Sequence, residues 1–346
     1  MKPWRLKNNR DSLNRNKKGA DVMLIADAIC IPVQKMVFEK TMPGVRVNDF
    51  EPRNAPGRFL CRDGVLYVND ICYGEMYPNS YLDIWYASKD TSVDRPTVIW
   101  IHGGGFIFGD KVSGDPLAQS MARNTNLCAA IAKRGYNVVS PNYALAPDYR
   151  FPVQLEQVDQ IITFLTAHQQ EYGLDMEHVF LGGGSAGANL AEIYGALLCN
   201  RDYAEAVGFH PTIRKKQILG LLIDEAALSV RNFEANMNAM LGCWMGQDGI
   251  SESPRADLID GSKWIREEYI PSFINSSNME IFFEDSAKDL AAVLERNGTE
   301  YELFFRERMC DSLEHGYMQR FTSNPYAKEC FEHMLAFMER ILHQKA

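Results

Sequence analysis

FLGGGSAGANL, residues 180–190, supports two incompatible readings. Gly182, Gly184 and Gly187 satisfy G-x-G-x-x-G, the turn that cradles a dinucleotide pyrophosphate; Gly183, Ser185 and Gly187 satisfy G-x-S-x-G, the turn that presents a serine nucleophile. Both patterns expect a strand before the turn and a helix after it, which the flanking residues allow. The choice between a cofactor site and a nucleophile therefore falls to the rest of the chain.

Around this stretch, short β-rich runs alternate with helical patterns from about residue 65 onward, the mark of an α/β architecture with a largely parallel sheet. VLYVNDICYG and YLDIWYAS, separated by Pro78, Asn79 and Ser80, read as an antiparallel entry hairpin. PTVIWIHG, YNVVSPNY, HVFLGGG, ILGLLIDEAA and PSFINSS read as buried strands and TEYELFFRE as the last, about eight strands in all. Continuous apolar runs suit strands covered by helices on both faces. Two regions break the rhythm. Residues 1–58 read as helical and then loop-like around Pro43, Pro52 and Pro56; residues 229–268 hold a helix-like NFEANMNAMLGCWMGQDG and a polar stretch. Both are expected to form a cap over the strand ends. Met237, Met240, Trp244 and Met245 would then either line a pocket or pack as ordinary core.

A dinucleotide turn should open its sheet and be followed about 20 residues later by an acid at a strand tip. Here the turn comes late, and Asp202 and Glu205 stand in CNRDYAEAVG, which reads as a helix end. The serine reading gains support upstream from IHGGGFIFG, residues 101–109, directly after the strand PTVIW. Acyl transfer needs donors aimed at an oxygen that becomes negative, and glycines let bare N–H groups approach it. G-x-S-x-G alone would arise in about one chain in ten of this length at ordinary Gly and Ser usage; a preceding H-G-G-G at a strand-to-loop junction is far rarer.

On these residues the chain resembles the hormone-sensitive lipase-like (bacterial type IV) carboxylesterase family. HGGGFIFG at 102–109, NYALAPDYRFP at 142–152, GGSAGANLA at 183–191 and EHGYM at 314–318 occur in the family's order and approximate spacing, covering most of residues 60–340. The resemblance implies an α/β-hydrolase fold: a catalytic domain over 59–346, with residues 1–58 and an insertion at 229–268 forming a helical cap. It also implies a serine carboxylic ester hydrolase acting on small to medium acyl esters without metal or cofactor. An amidase or deacetylase with the same triad is the near alternative. A non-catalytic binding protein, as in the plant gibberellin receptors, is disfavoured because the histidine those receptors lack is present here. Gly184 stands where the family usually has Asp or Thr, and Ala144 where it usually has Arg.

Within that frame Ser185 is the expected nucleophile, raised on a tight strand-to-helix turn. His315 is its expected base, because it follows the last β-rich run and precedes Gly316 as in the family pattern; His168, His178, His210, His333 and His343 read as surface or packing residues and His102 as a holder of the glycine loop. The triad acid should follow the nucleophile and precede the histidine. The loop in that position here is SSNMEIFFEDSAKDL; the resemblance puts the acid a few residues past the strand end, which favours Glu280, with Glu284 and Asp285 as rivals that could equally begin a helix, and Asp311 more remote. Gly104 and Gly105, carried over from the family's loop, and Ala186, from the elbow itself, are the expected oxyanion donors.

Bulk properties narrow the partners. The 346 residues carry 46% hydrophobic and 23% charged residues and a formal charge of −9, which suits an ordinary globular protein and disfavours nucleic acid, whose phosphates need clustered Lys and Arg. Eight cysteines without a C-x-x-C pair read as reduced thiols rather than zinc ligands or a disulfide framework. Lys2, Arg5, Lys7, Arg10, Arg15, Lys17 and Lys18 form a basic arm, read as a solvated face with contact to an acidic membrane surface as the alternative. VMLIADAICIPV after it is too short and polar to span a bilayer and is misplaced for a secretory signal. A cytoplasmic protein is expected, with a small-molecule ester as substrate, no stable membrane insertion, and a homodimer as the one protein partner carried as an expectation.

Overall fold

The computed structural model describes residues 23–52, 59–62, 64–93, 95–112, 114, 124–266, 269–309 and 311–345. The basic arm, Pro56 and Cys310 lie outside the described residues.

Strands β1 (Phe59–Arg62), β2 (Val65–Cys72), β3 (Tyr81–Trp85), β4 (Arg95–Ile101), β5 (Asn137–Pro141), β6 (Leu174–Gly184), β7 (Ile218–Asp224), β8 (Ser272–Asn275) and β9 (Tyr301–Phe304) form one sheet in the order β1-β2-β3-β5-β4-β6-β7-β8-β9. β2 and β3 are the expected hairpin; they and β1 are antiparallel, and every pairing from β5 to β9 is parallel. The sheet thus has nine strands rather than about eight, the extra one being β1, a four-residue edge piece that no apolar run announces.

The α-helices of the described residues are α1 (Ile25–Thr41), α2 (Asn124–Ala132), α3 (Val153–Ala167), α4 (Gln169–Tyr172), α5 (Ala186–Cys199), α6 (Arg201–Val207), α7 (Ala235–Met245), α8 (Ile281–Arg296) and α9 (Pro325–Lys345), with short 3-10 turns between some of the elements. The two-residue period of a strand sends successive side chains to opposite faces. In β4, Val98 and Trp100 enter the core shared with Leu127, Ile131, Phe337 and Ile341 of α2 and α9, while Ile99 and Ile101 enter the core shared with Leu155, Leu190 and Ile193 of α3 and α5. Phe180 and Leu181 of β6 divide in the same way. Both faces are dry, which is why these strands read as unbroken apolar runs.

The two regions outside the α/β rhythm meet each other. The amides of Ile25 and Ala26 donate to Asp248 at 3.1 and 2.8 Å, and a Cβ added to Gly242 of α7 would lie 3.3 Å from that of Ala26. Gln34 of α1 donates to the carbonyls of Ile107 and, at 2.8 Å, Ala146, so α1 lies over the loops that leave β4 and β5. Trp244 is core: it is fully buried, stacked at 3.6 Å on Phe106 and edge-on to Phe151 at 5.1 Å, and its indole N–H donates to Gln154 at 2.8 Å. Met245 is buried too, whereas Met237 and Met240 stay partly open.

Candidate active site

Ser185 joins β6 to α5 with φ 54° and ψ −119°, a backbone conformation that costs an L-residue energy unless its surroundings hold it. They do. The Ser185 amide donates to the Asp224 carbonyl at 2.7 Å, and the flanking glycines permit a contact no side chain could tolerate: a Cβ on Gly183 or Gly187 would lie 2.3 or 2.1 Å from the Ile101 carbonyl oxygen. The first glycine of the rival pattern, Gly182, presses on Leu222 of β7, where a Cβ would lie 2.5 Å from that residue's own. Packing between strands therefore accounts for these glycines without a bound phosphate. Gly184 is less crowded: a Cβ there would lie 3.3 Å from the Asp224 carboxylate, a tight contact that a small shift of that side chain would relieve.

The H-G-G-G loop follows β4 and runs alongside. Gly104 (φ 111°) and Gly105 (φ 57°) both adopt backbone conformations that favour glycine; a Cβ on Gly104 would lie 2.2 Å from the Phe108 carbonyl oxygen, and one on Gly105 would lie 2.7 Å from Met240 Sδ. His102 is buried, stacked on Tyr143 at 4.2 Å, with Nδ1 2.7 Å from the Gly103 carbonyl oxygen; the Tyr143 hydroxyl donates to the His102 carbonyl at 3.1 Å. It therefore holds the loop, as the sequence led us to expect. Ala186 opens α5, so its N–H belongs to the donor-rich first turn.

His315 lies after β9, its ring stacked at 4.5 Å on Phe283 of α8. Here the structure corrects one expectation. The carboxylate on His315 is not that of Glu280 but that of Glu225, whose Oε2 lies 2.5 Å from Nδ1 and also accepts the Gly316 N–H at 2.6 Å. Glu225 is buried at the tip of β7, and its φ of 61° turns it away from the strand path. The carboxylate of Glu280, at the threshold of α8, instead accepts from the Ser277 hydroxyl at 2.9 Å. Burial holds its carboxyl above the usual range against the downward pull of Ser277 and of His315 nearby. Glu284 pairs with Lys288 at 2.5 Å, Asp285 accepts from Asn232, and Asp311 accepts from the Ser312 amide at 2.8 Å, each away from the ring.

Asp224 precedes Glu225 and is buried, with its carboxylate accepting from Asn275 at 2.8 Å. Burial, and then the adjacent Glu225 charge, pushes its carboxyl up to about 8. Ser185, Asp224, Glu225 and His315 line one small cavity with Gln319. Among the described residues, the positive-φ positions that are neither Gly, Asn nor Asp are Phe106, Ser185 and Glu225. Ser185 and Glu225 line this cavity and Phe106 follows the glycine loop, packed on Trp244; surrounding contacts hold the strained backbone in place. Reasoning from sequence missed Glu225. The available signal was the acid pair ending the apolar run ILGLLIDEAA, since ligands of open α/β sheets sit at the carboxyl ends of strands.

A parallel sheet wrapped by helices, with a serine elbow, a glycine loop and a carboxylate-paired histidine at its carboxyl edge, defines an α/β-hydrolase. The BD-FAE family model matches residues 82–282, and the chain belongs to that family. The acetyl esterase of Salmonella paratyphi B is 32% identical over 117 residues, 33% of each chain, and that of Salmonella typhi is 33% identical over 106 residues, 31% of this chain and 29% of that one. The chain thus matches about a third of the length of these curated relatives. Among solved structures, esterase B of Lactobacillus rhamnosis superposes with a TM-score of 0.67 at 20% identity over 92% of this chain and 93% of that one. A hyperthermophilic esterase of Pyrobaculum calidifontis superposes with a TM-score of 0.62 at 14% identity over 92% and 94%. The resemblance drawn from the four motifs agrees with these findings.

Proposed function

We propose that the protein hydrolyses small acyl esters through a serine acyl-enzyme, with Ser185 as nucleophile, His315 as base and Glu225 as the acid that orients it. The observation that carries this reading is the elbow serine sharing its cavity with a histidine whose Nδ1 is engaged by a buried carboxylate 2.5 Å away. With Nδ1 facing the Glu225 carboxylate at 2.5 Å, Nε2 takes the Ser185 proton. The Ser185 oxygen then bonds to the ester carbonyl carbon, and the N–H groups of Gly104, Gly105 and Ala186 receive the developing oxyanion. His315 passes its proton to the leaving alcohol as the C–O bond breaks. A water, deprotonated by the same nitrogen, releases the acid and restores the serine.

Two facts favour a short acyl group. Met240 closes on Gly105 from α7, and the relatives matched over a third of the chain are named acetyl esterases. Residues 23–52 and 229–266, which lie against each other over the site loops, serve in this reading as the cap. Hydrolysis of p-nitrophenyl esters from acetate to decanoate should fall with chain length and disappear in Ser185→Ala, together with labelling by a fluorophosphonate. Undiminished hydrolysis by the purified, folded variant overturns the assignment.

A further inference from the structure

The outer face of α1 has the wrong polarity for a helix at a protein surface. Facing inward are Ala26, Cys30, Val37 and Phe38 together with Asp27, paired with Arg150 at 2.6 Å, and Gln34. Facing outward are Ile25, Ala28, Ile29, Pro32, Val33 and Met36, which fall on one stripe at helical spacing. Ile25 is 68% exposed and Met36 60%. Of the ten large apolar side chains exposed among the described residues, six are Met23 of the lead-in and Ile25, Ile29, Ile31, Val33 and Met36 of α1. Concentrated exposure of this kind marks a docking surface rather than the scattered apolar residues common on any protein.

The charge of the preceding segment says what docks there. Residues 1–22 hold seven of the chain's 36 cations and two of its 45 carboxylates, leaving the remainder, with 29 against 43, at a net −14. Covalent geometry alone keeps Lys17 and Lys18 within about 30 Å of Ile25. We infer that α1 and the basic segment before it dock the protein on an anionic lipid surface, the apolar stripe entering the headgroup boundary and the cations meeting lipid phosphates. Paired apolar and basic signals are what peripheral anchoring requires. A second copy docked on the same face by twofold symmetry would bring two basic segments together. No helix among the described residues is long and apolar enough to cross a membrane, so the contact is lateral. Because Gln34 ties α1 to the Ile107 carbonyl in the glycine loop, docking holds that loop near the lipid; on the esterase reading, the substrates include short-acyl esters of lipid-soluble alcohols.

The test uses the full chain carrying Ser185→Ala, so that binding is read without catalysis and stands or falls apart from the esterase reading. Co-sedimentation is measured with phosphatidylcholine vesicles and with vesicles containing 30% phosphatidylglycerol. Binding is expected on the anionic vesicles only and should weaken steeply between 0.05 and 0.5 M salt. Ile25→Ser/Ile29→Ser should reduce it about tenfold or more, and Lys17→Ala about fivefold, with thermal stability unchanged. Absence of binding to anionic vesicles overturns the inference, as does equal binding to neutral ones. So does a dimer in sedimentation velocity that Ile25→Ser/Ile29→Ser dissolves, which would assign the face to a second copy.

Discussion

Two neighbouring strand ends offer carboxylates to the same histidine, and they differ in how those carboxylates are held. At the end of β7, Glu225 is buried, its backbone is turned to φ 61°, and one of its oxygens serves both His315 Nδ1 and the Gly316 amide. At the end of β8 the chain runs on through Ser276–Met279 before Glu280, whose carboxylate accepts from Ser277 at the start of α8. The first has a single direction fixed by the sheet; the second has a local partner that competes for it. A carboxylate that must orient an imidazole works when its other partner holds it toward the ring, as the Gly316 amide next to His315 does for Glu225, and that condition favours the strand tip.

The sharpest way to break this comparison is Glu225→Gln. It keeps the side-chain shape but removes the charge that favours the working tautomer and stabilises imidazolium, so kcat should fall about 10⁴-fold, as for acid-to-amide exchange in a serine-protease triad. A loss below tenfold in a folded variant would return the role to another carboxylate. Asp224 probes the same strand tip through stability. Its carboxyl is pushed up to about 8 in the folded protein, whereas the unfolded chain releases that proton near pH 4. The native state therefore holds more protons through this window, and stability should decline as pH rises from about 4 to about 8, at up to about 1.4 kcal/mol per pH unit. Asp224→Asn retains an oxygen for the Asn275 amide and should flatten that decline in thermal melts taken across the window; an unaltered slope would show that the proton resides elsewhere. The smallest effect is expected on the β8 side. Glu280→Gln should cost about tenfold in kcat at most, the value of one modest through-space interaction of about 1.4 kcal/mol. A larger loss than for Glu225→Gln would reverse the comparison.

What was legible in the sequence follows the range of the forces involved. The alternation of apolar runs and helical patterns foretold the layered sheet because each strand's burial is written in its own residues. β1 was not legible, since its four residues become a strand by pairing with β2. FLGGGSAGANL was resolved in sequence by its companion motif upstream, and the structure supplies the reason for its glycines: the elbow packs against the Ile101 carbonyl of β4, and the upstream glycine loop adopts the positive φ that lets it turn back. Trp244 was ambiguous in sequence because helical spacing of large apolar residues is the same whether they line a pocket or fill one. Its stack on Phe106 decides for the core.

By itself, then, the sequence pointed to Ser185, the glycine loop beside it and His315 as the proposed machinery, because each stands in a motif of adjacent residues. Only the tertiary structure brought the Glu225 carboxylate to the His315 ring. Glu225 and His315 lie 90 positions apart, and nothing near either residue in the chain specifies the other. Their meeting depends on β7 lying next to β6 in the sheet and on the loop after β9 folding back across the strand ends, with Gly316 donating to the same carboxylate oxygen that faces the ring. The outer face of α1 is a further case: its residues read as helical cap, and only the structure shows that Ala26, Asp27, Cys30, Gln34, Val37 and Phe38 are covered while Ile25, Ile29 and Met36 are not.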